Sequence, residues 1–117
     1  MELKEIRDVL GAEVLCGEDC LGKEVKKACG SDLMSVVLSF VKSDSLLLTS
    51  LTNAQVVRTA EMAEIGAICF VNNERPREET IKLANEKKIP LLATKQLMYE
   101  CCGQLYKKGL SGTDDFE

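Results

Sequence analysis

The sequence predicts a single α/β domain: a mostly parallel sheet of about four to five strands with helices on both faces. Three observations predict it. The runs Ser45–Thr49, Ala67–Val71 and Ile89–Ala93 are short and almost wholly aliphatic. Each is followed by a segment with helical periodicity and a plausible start signal, and the runs begin about 22 residues apart. Strands apolar on both sides belong in sheets whose crossover helices cover both faces. A leucine-rich solenoid shares such a period, but its repeating Leu and Asn pattern is absent.

Each element follows from local signals. Leu3, Ile6, Val9 and Leu10 fall on one helical stripe, and Gly11 stands where that helix should stop. Two short strands are expected next, Val14–Cys16 and one around Val25. Ser31 or Asp32 is placed to cap a helix whose Leu33, Met34, Val36, Val37, Leu38, Phe40 and Val41 are apolar on nearly all sides, so this helix is expected to be buried. After strand Ser45–Thr49, Thr52 and Gln55 have capping-box spacing ahead of a helix from about Asn53 to Ile65, with Gly66 as its left-handed stop. After strand Ala67–Val71, Pro76 suits the first turn of a helix reaching Lys88. After strand Ile89–Ala93, Thr94 is the expected cap of a helix through Leu97, Met98, Cys101, Leu105 and Tyr106 to Gly109. The domain is expected over residues 1–110, with 111–117 as a disordered acidic tail.

Composition narrows the function classes. The 117 residues, 45% apolar, suffice for one core that buries about two thirds of the unfolded surface without staples or metal. With 15 Lys plus Arg against 19 Asp plus Glu the net charge is −4, which argues against a nucleic-acid partner. Histidine is absent, and with it the commonest general base, the triads that depend on it and most catalytic zinc sites. No catalytic constellation emerges, and an enzyme is not expected. Met1 leads into Glu2, Leu3, Lys4 and Glu5 rather than into a signal peptide, and no apolar run approaches a membrane span. A cytoplasmic location with reduced thiols is expected for the six cysteines.

In an open α/β sheet, ligands bind beyond the carboxyl ends of the strands, where helix N-termini offer free amides. The loops there are Gly30–Asp32, Thr49–Asn53, Asn72–Arg75 and Thr94–Lys95. The expected ligand residues are Ser31, Asp32, Thr49, Thr52, Asn53, Asn72, Asn73, Thr94 and Lys95, a set suited to a small anion or a nucleotide phosphate; as turn and cap residues they have a purely structural reading too. Neither a Walker loop nor Gly-x-Gly-x-x-Gly is present. Arg58 and Glu61 interrupt an apolar helix and are expected to pair within it, with contact to a neighbouring loop or a second subunit as the interaction reading. Glu78 and Glu79 are expected to form solvated pairs with Arg75 and Arg77. The cysteines allow an alternative: Cys16, Cys20 and Cys29 with Cys101 or Cys102 as ligands of an iron–sulfur cluster or metal, although the spacing is not that of a ferredoxin. Without it, no cofactor is expected.

Several stretches carry a family resemblance: Gly30-Ser31-Asp32-Leu33-Met34-Ser35, Leu46-Leu47-Leu48-Thr49, Val57-Arg58-Thr59-Ala60-Glu61-Met62, Ile68-Cys69-Phe70-Val71 with Pro76, Ile89-Pro90-Leu91-Leu92-Ala93-Thr94, and Cys102-Gly103-Gln104-Leu105-Tyr106. From Val25 to Leu110 the chain resembles the DRTGG domain family, especially its small stand-alone members. The resemblance implies an α/β domain similar to the N-terminal domain of HPr kinase, found beside CBS domains and fused to phosphotransacetylase-type enzymes, with a regulatory role. It also implies an association of small members with iron-only hydrogenases, hence a hydrogenase-related partner. The naming motif is altered: Thr52-Asn53 stands for Asp-Arg, and Val71-Asn72-Asn73 for Thr-Gly-Gly. Because the helix Leu33–Val41 is apolar all round in a thin domain, self-association as a homodimer is expected.

Overall fold

Leu46, Leu47 and Leu48 are shielded from solvent on both sides of a sheet, as their uninterrupted run requires. The computed structural model describes residues 1–112. Along the chain lie α1 (Leu3–Leu10), β1 (Glu13–Cys16), a 3-10 turn (Glu18–Cys20), β2 (Lys27–Gly30), α2 (Met34–Phe40), β3 (Ser45–Thr49), α3 (Ala54–Met62), β4 (Ala67–Phe70), α4 (Glu78–Glu86), β5 (Leu91–Ala93) and α5 (Met98–Lys107). The strands form one five-stranded sheet in the order β1-β5-β4-β3-β2. Strands β2 to β5 are parallel, and β1 is antiparallel to β5 on the edge. The expected fold class is therefore the observed one.

Strands β2, β3, β4 and β5 step across the sheet in chain order. Crossovers of one hand between strands stepping one way deliver their helices to one face. Accordingly α2, α3 and α4 share a face, where Val37, Val56, Val57, Ala60 and Ala84 pack with Leu47, Ile68, Phe70 and Leu91. The other face falls to α1 and α5, whose Leu3, Ile6, Leu10, Cys101 and Leu105 pack on Leu46, Leu48, Ala67, Cys69 and Leu92. Each fully buried aliphatic or aromatic side chain of these two layers contributes about 1.5–3 kcal/mol. Gly30 lets α5 settle on the sheet edge, since a Cβ there would lie 2.8 Å from Cys102 Sγ and 3.0 Å from Met98 Sδ.

Several local expectations are corrected. The strand expected around Val25 lies at Lys27–Gly30; Val25 is a core residue tied by its amide to the Met1 carbonyl. Helix α2 is not buried: only Val37 is, while Leu33 and Leu38 are 60% and 45% exposed. It joins β2, the edge strand, to β3 and packs against α3, so position at the sheet margin overrides apolar composition. The cap of α3 is Asn53, whose side chain accepts from the Gln55 amide, rather than Thr52. After α3 the left-handed position is Glu64 (φ 56), not Gly66. Gly66 is placed instead against the Asp44 backbone, 3.4 Å from where its Cβ would stand. Pro76 precedes α4, whose N-cap is Arg77. Gly11 does end α1 in the left-handed conformation. The acidic tail expected over 111–117 lies outside the described residues from Thr113 on. Among the described residues no helix is long and apolar enough to cross a membrane.

The turn after β1 depends on Gly17, which has φ 83 and sits against Pro90; a Cβ would stand 2.6 Å from the proline Cβ. Gly17→Ala must therefore strain the backbone and displace Pro90 at the start of the β5 segment. It should destabilise the fold by about 1–3 kcal/mol, read as a lower urea midpoint with an unchanged m-value.

Candidate functional site

The site follows from where helices leave neighbouring strands. After β4 the chain enters α4 on one face, whereas after β5 it enters α5 on the opposite face. Two loops that part in opposite directions leave a crevice at the carboxyl end of the sheet, the place where open α/β sheets hold ligands. Here it measures 280 Å³ and is lined by Leu10, Gly11, Glu13, Asn73, Arg75, Ala93, Thr94, Lys95 and Gln96.

Asn73 lines its wall, and Asn72 precedes it in the same turn. Both adopt left-handed backbone, φ 62 and 60. They stand at the Gly-Gly of the altered signature, and asparagine is the side-chain-bearing residue that best tolerates this conformation. The substitution thus preserves the turn. The Asn72 and Asn73 amides donate to the carbonyls of Gln96 (2.8 Å) and Thr94 (3.1 Å), joining the two loops. Asn72 Oδ1 accepts from the Met98 amide at 2.9 Å, capping α5 from outside; Thr94 is not the cap. The buried Thr94 hydroxyl donates instead to the Leu10 carbonyl at 2.8 Å, which Gln96 Nε2 also reaches at 2.8 Å. These bonds fix the end of α1 over the crevice floor. Asn73, Arg75 and Lys95 remain exposed on its rim.

Across the opening, Arg75 Nη1 and Nη2 donate to Glu13 Oε1 and Oε2 at 2.9 and 3.2 Å. This replaces the expected local pairing of Arg75 with Glu78 and Glu79. The hydrogen bond and positive charge of Arg75 hold the Glu13 carboxyl below its ordinary value. Glu13 and Gln96 lie outside the expected ligand set. No local sequence signal marks Glu13, because strand pairing alone brings β1 beside the end of β5.

The remaining expected residues lie elsewhere. Ser31 and Asp32 belong to the loop after β2, and Thr49 is the last residue of β3. Asp32 Oδ1 accepts from Thr49 Oγ1 (2.8 Å) and the Ser50 amide (2.7 Å), and Ser31 Oγ accepts from the Leu33 amide; Asp32 is a latch between loops and not a helix cap. Thr52 and Asn53 border a separate 390 Å³ depression with Ser50, Arg77 and Thr80. Glu61 pairs with Lys87, at the C-cap of α4, at 3.2 Å rather than within its own helix, and Arg58 is exposed.

The cysteines do not all converge. Cys29, in register with Leu47, lines one cavity of 250 Å³ with Cys102, which packs with Cys101 and Cys69 in the layer under α1 and α5. Cys16 packs on the α2–α4 side at the opposite edge strand. Among the described residues no group of three or more Cys, Asp or Glu is placed to hold a metal ion. Burial pushes the thiols of Cys16, Cys29, Cys69 and Cys102 up, and that of Cys101 to about 11, away from the thiolate form that ligates metals.

Partial burial pushes the Asp32 carboxyl up, but the hydrogen bonds from Ser50 and Thr49 outweigh it and hold the group below its ordinary value. A carboxyl depressed in the folded state stabilises at neutral pH, and this contribution is lost as pH falls below about 4 and through the folded value. Asp32→Ala should cost about 1 kcal/mol at pH 7, allowing for its exposure, and the gap from wild type should narrow on titration to pH 3 in urea unfolding.

Comparison with known proteins agrees with this architecture. No match is found among curated proteins. Among solved structures, one similar to this chain is the CBS and DRTGG domains of the regulatory region of Clostridium perfringens pyrophosphatase, complexed with the activator diadenosine tetraphosphate. It matches with a TM-score of 0.73 at 15% identity, over 99% of this chain and 52% of that one. The chain thus spans about half the length of that structure, and the likeness is one of fold. The model of the DRTGG domain matches residues 5–106, both altered signature loops included, and the chain belongs to the DRTGG domain family.

Proposed function

We propose that this chain is a cytoplasmic, non-catalytic regulatory domain that binds a phosphorylated ligand of the nucleotide class in the crevice between the ends of β4 and β5. The observation that carries the reading is the convergence of Arg75, Lys95 and Asn73 on one crevice, at the point where α4 and α5 part. Arginine offers a planar fork to two phosphate oxygens and lysine a point charge to a third. The similar regulatory region, crystallised with a dinucleoside polyphosphate activator, supports the ligand class. The absence of histidine supports a sensing rather than a catalytic role. The expected ligand set narrows in this reading to Asn73 and Lys95, joined by Arg75, with Thr94 in the wall and Asn72 joining the two loops.

Regulation requires a surface that communicates. Leu33, Leu38 and Phe40 on and beside α2, and Leu97, Tyr99 and Tyr106 on and beside α5, are large apolar side chains left exposed, Tyr99 by 84%. Self-association as a dimer through α2 covers the first group; a hydrogenase-related enzyme, the partner that the family resemblance implies, is the partner class for the second.

Two outcomes are expected. ATP or diadenosine tetraphosphate at about ten times its Kd should raise Tm by roughly 5 °C, and Lys95→Gln should remove most of that shift; no shift with either nucleotide overturns the ligand reading. Light scattering at micromolar concentration should give a dimer mass that Leu38→Glu reduces to the monomer; a monomeric wild type overturns the dimer.

A further inference from the structure

The ion pair at the crevice mouth joins residues 62 positions apart in sequence. Glu13 opens β1, Arg75 stands in the loop after β4, and β5 lies between those strands. The pair therefore spans the carboxyl end of β5, from which Thr94 and Lys95 lead away. Its geometry is a fork, with both terminal guanidinium nitrogens engaged by the two carboxylate oxygens. That is the arrangement a ligand's phosphate would adopt with the same arginine.

We propose that Glu13 is a built-in competitor for the ligand: its carboxylate occupies the Arg75 fork in the free protein, and an anionic ligand binds by displacing it. This deepens the reading of the crevice given above and rests on it. Both side chains are more than half exposed, Arg75 by 53% and Glu13 by 62%, so the pair adds little to folding and is cheaply broken. Strand β1 does not depend on it. Its pairing with β5 and the bonds of Thr94 and Gln96 to the Leu10 carbonyl hold that edge in place. Exchange of one anion for another at Arg75 leaves the fold unchanged while releasing the link between β1 and the β4–α4 loop, and Lys95 on the same rim favours a multiply charged phosphate over a single carboxylate. The device sets a threshold: weak anions do not dislodge Glu13, and polyphosphates do.

Calorimetric titration with inorganic pyrophosphate and with ATP at low salt tests this. Glu13→Gln keeps the side-chain shape but removes the competing charge, and it should bind both probes about two- to fivefold more tightly than wild type. Glu18→Gln, the same charge change in the 3-10 turn at the other end of β1, should leave affinity unchanged. Arg75→Gln should weaken binding at least tenfold. If Arg75→Gln weakens binding but Glu13→Gln matches the wild type, or binds less tightly, the crevice stands and the competitor is overturned. If Glu18→Gln gains as much as Glu13→Gln, the effect is one of net charge and the competitor is again overturned. If neither wild type nor Glu13→Gln binds either probe, the crevice reading itself falls.

Discussion

The structure depends on one constraint: β3, β4 and β5 are buried along their whole length, so the sheet must be covered on both faces. Strands laid down in chain order with crossovers of one hand place α2, α3 and α4 on a single face. The opposite face must then be covered by elements outside the crossovers, and α1 and α5 are what the chain has left. Covering that face forces α5 to leave β5 on the side opposite to α4. The crevice between the two loops is a direct result of completing the core, before any ligand is considered.

What surrounds the crevice divides into two energetic classes. Its floor and walls are built from buried or shared hydrogen bonds: Thr94 and Gln96 on the Leu10 carbonyl, and Asn72 on the Met98 amide. Breaking any of these leaves a polar group poorly paired, so they hold the site rigid. Its rim carries exposed charges whose interactions are weak in water. A rigid frame with exchangeable charges at its edge suits reversible ligand sensing. The two loops joined by the Asn72 and Asn73 amides lead into α4 and α5, which cover opposite faces, so the crevice is linked to both layers of the core.

The thiols follow the same division. Cys69 and Cys101 fill core positions as small apolar side chains, and Cys102 occupies space that Gly30 leaves open. Cys29, within the edge strand β2, and Cys102 of α5 line one cavity at the sheet margin. Spacing along the chain could not reveal this, because only the packing of α5 on the sheet brings the two together.

The sequence by itself determined the fold class, the order of the elements and the two apolar layers, because buried parallel strands leave continuous aliphatic runs and helices leave periodic ones. It also placed Asn72, Asn73, Thr94 and Lys95 in strand-end loops. Exposure of α2 was not legible: the run Leu33–Val41 reads as core, and only the position of β2 at the sheet edge leaves it uncovered. Nor was the separation of Asp32, Thr49, Thr52 and Asn53 from the crevice, since all strand-end loops look alike until the departure side of each helix is known. The tertiary structure alone brought Glu13 to Arg75, because antiparallel pairing of β1 with β5 is long-range and leaves no periodic mark at either residue.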